Sequence, residues 1–258
     1  MGLALVTGAS SGIGQAFAER LAADGHDLIV AGRRRDRLDA LASALPAEVR
    51  VVVADLSTDD GVDAVAELCA SEPLTMLVNN AGVAHYMPMA DLPAAKAREL
   101  VHVKVVAPTM LTRAALPGMI SRGAGTIVAV AGMIAFAGPA PSSLMPRRAV
   151  YAGTLAHTVA MTQTLHAELD GTGVTAHVVC PGVVATEFHS VQGMDLSAVP
   201  RMSAGDVVTA ALAGIARGEV VSAPGVEDYG LLESVFAADL AAFGGQSPRL
   251  ASRYRSVS

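Results

Sequence analysis

The chain has 258 residues, 52% of them hydrophobic, ample for a full buried core at a length where α/β folds are often a single domain. Eighteen basic against 24 acidic side chains give a net charge of −6, and no Lys/Arg cluster is long enough to track a phosphate backbone, which argues against a nucleic-acid partner. Cys69 and Cys180, the only cysteines, lie far apart with no CxxC or histidine spacing, so two buried thiols in a reducing cytoplasm are expected rather than a disulfide scaffold or a zinc site.

In chain order, short apolar runs recur: "LALVTG", "DLIVAG", "VRVVVAD", "LTMLVNNAG", "GTIVAVAG", "VTAHVVCPG" and "EVVSAPG". Each closes on Gly, Pro, Asp or Asn, and continuous rather than alternating hydrophobicity suits strands covered on both faces. Helical patterns lie between them, among them Gly14–Asp24, Arg37–Leu45 and Ala94–Met119. This alternation predicts a Rossmann-like, doubly wound parallel sheet with helices on both faces, as one domain over residues 1–258. The longest uncharged stretch, "GAGTIVAVAGMIAFAGPAP", is broken by glycine and ends in prolines, so no membrane span is expected. No basic segment precedes the first apolar run, which argues against a signal peptide and for a cytoplasmic protein. The tail over 246–258 is polar and is expected to be loosely ordered or packed on a neighbour.

Thr7 to Gly14, "TGASSGIG", falls between the first strand and the first helix. Glycines there allow a tight turn and let backbone N–H groups approach a pyrophosphate at the helix N-terminus, where the dipole favours negative charge. The visible strand and helix on either side are the context that gives such a pattern weight.

The TGxxxGxG spacing resembles the short-chain dehydrogenase/reductase family, and three further landmarks follow in the family's order. Asp55-Leu56 follow the third strand, where the family holds adenine. "NNAG" (Asn79, Asn80, Ala81, Gly82) ends the fourth, and "PGVVAT" (Pro181 to Thr186, including Gly182 and Val184) follows the sixth, where the family's loop holds the nicotinamide carboxamide. The likeness covers nearly the whole chain. It implies a dinucleotide cradle of Gly8, Ser10, Ser11, Gly12, Ile13 and Gly14, and a substrate lid over 187–202. It also implies a homodimer or homotetramer packed through the helices that carry Lys104 and Tyr151. At the second strand, "IVAGRRRDRL" puts Gly32 where an acid would hold the ribose 2′-hydroxyl of NAD; Arg33 and Arg34 follow and suit a 2′-phosphate, so NADP(H) is the expected cofactor.

The family's catalytic set is depleted. Tyrosine, lysine four residues on, serine and asparagine share the proton work there, because a free phenol titrates near 10, roughly three units above neutrality. Tyr151 matches the tyrosine. Leu155 stands at the lysine position, Ala131-Gly132 at the serine pair and Lys104 at the asparagine, while an insertion, "GPAPSSLMPRR", precedes Tyr151. Three readings remain open. Lys104, with Ser142 or Ser143 from the insertion, could replace the lost groups in a carbonyl–alcohol oxidoreductase. A lyase, dehydratase or isomerase could use the same scaffold, or the chain could bind NADP without turnover. His85 and Tyr86 follow NNAG near where a substrate would enter, and Met133, Met145, Met194 and Met202 would suit an adaptable apolar pocket for a small or medium uncharged substrate. No histidine has metal-ligand spacing.

Overall fold

The computed structural model describes residues 2–138, 140, 147–196 and 198–255. Seven parallel strands form its sheet: β1 Leu3–Thr7, β2 Asp27–Gly32, β3 Val49–Val53, β4 Leu74–Asn79, β5 Gly125–Val130, β6 Val174–Val179 and β7 Val221–Ser222, in the order β3-β2-β1-β4-β5-β6-β7. Leu5 of β1 pairs with Ile29 on one side and Leu77 on the other, so the chain reverses its winding direction between β1 and β4. Crevices for ligands in open α/β sheets form at this kind of switch point, beyond the carboxyl ends of the strands.

The continuous apolar runs are explained by burial on both faces. On one face Ala4, Val6, Val30, Val128 and Val179 pack with Phe17 and Leu21 of α1 (Gly12–Ala23), Leu38 and Leu41 of α2 (Arg35–Ala44), and Val207 and Ala211 of a later helix, Ala204–Ala216. On the other, Leu5, Ile29, Leu77, Ile127 and Ala176 pack with Val62, Val65 and Cys69 of α3 (Asp59–Ser71) and with Leu111, Ala115 and Met119. Alternate residues of one strand therefore serve two hydrophobic layers.

The helix expected over Ala94–Met119 is broken. α4 (Ala94–Val101) runs into a π-helical turn at His102–Val106, and α5 (Ala107–Arg122) continues from it. Pro108 supplies the reason: it has no N–H to give the carbonyl of Lys104, four residues back, and its ring crowds that carbonyl. The widened turn falls on Lys104 itself. α6 (Ala149–Glu168) carries Tyr151, α7 (Phe188–Val191) lies within the segment expected as a lid, and α8 is the helix Ala204–Ala216 already placed on the sheet.

By internal contacts the chain divides into two units, Met1–Gly225 and Val226–Ser258. The second is built on α9 (Gly230–Gly244), whose Leu231, Val235, Leu240 and Phe243 are exposed; near its end Arg253 lies 4.6 Å from the centre of the Tyr254 ring. Among the described residues no helix is long and apolar enough to cross a membrane. Both cysteines are free and buried, and burial pushes each thiol up to about 12.

Gly14 is where the first helix meets the end of the sheet: a Cβ there would overlap Asn80 Nδ2 and the Gly8 carbonyl. Gly14→Ala is therefore expected to cost about 1–3 kcal/mol, the usual scale of overpacking, measured by urea denaturation of the two proteins. An unchanged midpoint and slope would show that the loop yields freely.

Candidate active site

A cavity of about 670 Å³ opens at the switch point. One end is the glycine turn. Gly8 and Gly12 hold φ of +66° and +58°, conformations that favour glycine, and a Cβ on Gly12 would come within 3.0 Å of Thr186. Ser11, the N-cap of α1, makes no capping bond with its side chain, and the first turn has no acidic residue. The free N–H groups of that turn and the positive end of the helix dipole suit an anion.

This turn is fixed from β4. Thr7 Oγ1 donates to the carbonyl of Val78 (3.2 Å) and accepts the backbone N–H of Asn80 (3.0 Å) and of Ala81 (3.1 Å). Asn80 Nδ2 donates to the carbonyls of Thr7 (2.9 Å) and Gly8 (3.3 Å). The asparagine side chain is thus a brace between the two crossover segments. Asn79 does different work: it is buried, gives Nδ2 to Thr112 Oγ1 (3.0 Å), and does not line the cavity. Gly14 also stands behind the lining, as a packing position.

The other residues expected at the dinucleotide do meet here. Gly8, Ser10, Ser11, Gly12, Ile13, Arg33, Arg34, Asp55, Leu56, Asn80, Ala81, Gly82, Pro181, Gly182, Val184 and Thr186 all line the cavity, as do Tyr151 and Lys104. Burial works against ionisation of Asp55, but the N–H and hydroxyl of Ser57 and the charge of Arg33 outweigh it and hold the carboxyl below its ordinary range. Arg33 itself is 58% exposed and reaches Glu99 at 3.8 Å. Arg34 is more tightly engaged. Its Nε and Nη2 donate to Ser10 Oγ (3.1 and 2.9 Å), Nη2 also to Ser11 Oγ (2.7 Å), and Nη1 to Glu187.

At the opposite end Tyr151 is buried in the first turn of α6, where the helix dipole favours a phenolate. Burial dominates nonetheless, and with the neighbouring Tyr86 it raises the Tyr151 hydroxyl well above its ordinary value, against the charge of Arg148. The Tyr86 and Tyr151 rings meet edge to face at 5.3 Å, and the hydrogen bond between their hydroxyls raises Tyr151 and lowers Tyr86, so Tyr151 keeps its proton. Tyr86 also stacks on His189 of α7, 6.2 Å away.

Lys104 is buried on the π-helical turn, and a Cβ on Gly82 would lie 2.6 Å from its Nζ, which places the ammonium beside the end of NNAG. A buried lysine is expected to have a partner, yet among the described residues it has no hydrogen bond or ion pair. Burial alone pulls its pKa down to about 8. Leu155 is buried, and its Cδ1 lies 3.5 Å from the Cβ position of Gly132, so the lysine and serine positions of the family pattern close into an apolar wall with Ala131, Met133 and Ile134. Ser142, Ser143 and Met145 lie outside the described residues. Met202 sits behind the cavity, bridged to Val184, and Met194 is not in its lining. Arg148 and Glu187 were not singled out by sequence. The first stands three residues before Tyr151, a helical spacing that could have been read; the second gave no local signal. Among the described residues no cluster of His, Cys, Asp and Glu could hold a metal.

The family model for short chain dehydrogenase matches residues 2–195. This chain belongs to the short-chain dehydrogenase/reductase family. It is 36% identical over 195 residues to sulfoacetaldehyde reductase 2 of Chromohalobacter salexigens, covering 74% of this chain and 75% of that one. It is 29% identical to the mouse very-long-chain 3-oxoacyl-CoA reductase, covering 73% of this chain but 61% of that protein. Among solved structures, a short-chain dehydrogenase of Sphingobium yanoikuyae in complex with NADPH superposes with a TM-score of 0.91 at 30% identity, covering 98% of this chain and 100% of that one. The bulky-bulky ketone specific alcohol dehydrogenase of Comamonas testosteroni gives 0.88 at 28% identity, with 99% of each chain covered. The fold is that of family oxidoreductases.

An unpaired buried ammonium destabilises the fold at neutral pH. Because the folded pKa is depressed, the unfolded chain binds more protons between about 8 and the ordinary lysine value, so stability rises with pH across that window. Lys104→Met is expected to raise stability at pH 7, on the order of 3 kcal/mol, with the gain shrinking toward pH 10; thermal melts at both pH values measure it. A variant less stable than the parent at pH 7 would mean that the charge is compensated.

Proposed function

We propose that this protein is an NADP(H)-dependent oxidoreductase that interconverts a carbonyl and an alcohol on a small or medium apolar substrate. The observation that carries the reading is the presence, in one cavity, of a glycine cradle at one end and Tyr151 with Lys104 at the other. A dinucleotide fits the cradle on three counts: uncapped helical N–H groups at α1, glycines whose Cβ would fill the approach, and Arg33 and Arg34 beside a Gly32 that carries no competing carboxylate. The NADPH complex of the Sphingobium relative agrees with that assignment.

A nicotinamide dinucleotide held there supplies or accepts the hydride, chemistry that no side chain provides. The chain's own residues handle the proton and the substrate. Tyr151 Oη gives its proton to the carbonyl oxygen during reduction and takes one back from the alcohol in the reverse direction. Arg148 and the α6 dipole favour the phenolate, and Lys104 adds positive charge in the same cavity at pH values below about 8. Ser142 and Ser143 remain candidates for holding the substrate oxygen. The wall of Ala131, Met133, Ile134 and Leu155 excludes water and offers no charge to a substrate, which suits an apolar ketone or aldehyde. Exposed Val101, Met110 and Ile120 on α4 and α5 favour a homo-oligomer packed through this region, and a cytoplasmic location accords with a thiol-containing chain of this type.

One observation favours a second reading, an NADP-binding protein without turnover: Leu155 buries hydrocarbon where the family pattern places its lysine.

Turnover separates the two. With NADPH and a panel of apolar ketones and aldehydes, Tyr151→Phe is expected to lower kcat about 10²- to 10⁴-fold while leaving cofactor binding intact. Alcohol oxidation should rise steadily toward alkaline pH, because the proton must first leave a phenol whose pKa is raised. Reduction should weaken above about pH 8 as Lys104 loses its charge, and that limb should vanish in Lys104→Met. A Tyr151→Phe protein as active as the parent contradicts the assignment.

A further inference from the structure

We propose that Glu187 is a specificity-determining residue that competes with the cofactor's 2′-phosphate for the guanidinium group of Arg34. This rests on the reading above that the cavity holds a nicotinamide dinucleotide. Each oxygen of the carboxylate holds one arginine: Oε1 takes Arg34 Nη1, and Oε2 takes Arg37 Nη1 at 2.7 Å. Nε and Nη2 of Arg34 donate to Ser10 and Ser11 of the glycine turn. Every nitrogen of Arg34 is therefore engaged within the protein, and among the described residues the one partner with a negative charge is Glu187.

The pairing is strong enough to matter. The hydrogen bond from Arg37, followed by those from Arg34 and Ser11, holds the Glu187 carboxyl down at about 2 against the cost of burial. The carboxylate is thus fully ionised wherever a dinucleotide would bind. A guanidinium donates charged N–H groups to carboxylates and phosphates alike, so Glu187 stands in the protein for the group that a 2′-phosphate would bring. A 2′-phosphate reaching Arg34 must share it with, or displace, a like charge. A cofactor carrying only a 2′-hydroxyl meets no such conflict. Electrostatically, Glu187 subtracts from the affinity for the phosphorylated dinucleotide and leaves the other nearly untouched.

Position gives the pair a second consequence. Glu187 follows Thr186 of the PGVVAT loop and immediately precedes α7, whose His189 stacks on Tyr86 beside Tyr151. The ion pairs with Arg34 and Arg37 span about 150 residues of sequence and fasten the base of this segment to the glycine turn. A 2′-phosphate that takes Arg34 loosens that fastening.

The test is fluorescence titration of NADPH and NADH into the parent, Glu187→Gln and Glu187→Ala. Removing the carboxylate is expected to tighten NADPH about three- to tenfold in both variants, and to leave NADH within about twofold. An NADPH/NADH affinity ratio that stays level or falls in both variants overturns the proposal, and a fall would show that Glu187 instead aims Arg34 at the phosphate. The parent's own ratio judges the cofactor reading separately: a parent that prefers NADH, or binds neither, counts against NADP whatever the variants do.

Discussion

Four hydrogen bonds at the end of β1 and β4 hold the site together. Thr7 Oγ1 takes the N–H groups of Asn80 and Ala81, and Asn80 Nδ2 returns to the carbonyls of Thr7 and Gly8. These bonds cross the point where the sheet changes winding direction, so the glycine turn and the NNAG segment move as one body. Lys104 is drawn into the same body, because its ammonium lies against Gly82.

The arrangement trades stability for chemistry. Strand residues such as Leu5, Ile29 and Leu77 are fully buried between two layers, which provides the apolar area that drives folding. At the rim of that core the chain keeps a buried lysine, a buried phenol and an uncapped helix end, each unfavourable by local rules. Conflicts of this kind gather at functional sites, where the rest of the fold must outweigh them. The π-helical turn belongs to the same group: Pro108 denies Lys104 its helical hydrogen bond and swells the turn that directs the side chain.

Strand positions were legible in the sequence because burial on both faces writes continuous apolar runs, and all seven runs became strands. The glycine turn was legible because a positive φ and a close approach leave few other residues possible. The break in the helix over Ala94–Met119 was missed, although Pro108 announces it four residues after Lys104. Asn79 and Asn80 look alike in the motif, yet one side chain turns to Thr112 and the other to Gly8, a distinction that depends on tertiary placement. Glu187 meeting Arg34 and Arg37 is set by how the PGVVAT loop returns over the glycine turn, and no short-range pattern encodes it. Arg148 lies between these cases. Its spacing from Tyr151 was visible, but its burial was not.

In the proposed reaction this cavity passes a hydride to a carbonyl carbon while Tyr151 moves the proton. Incubating the protein with NADPH deuterated at the transferring position of the nicotinamide, together with a panel of apolar ketones and aldehydes, tests it most directly by mass spectrometry of the alcohols. One deuterium is expected on the carbinol carbon of at least one product, lost when Tyr151 is replaced by Phe. Bound cofactor with no label in any product, across the panel, would contradict it.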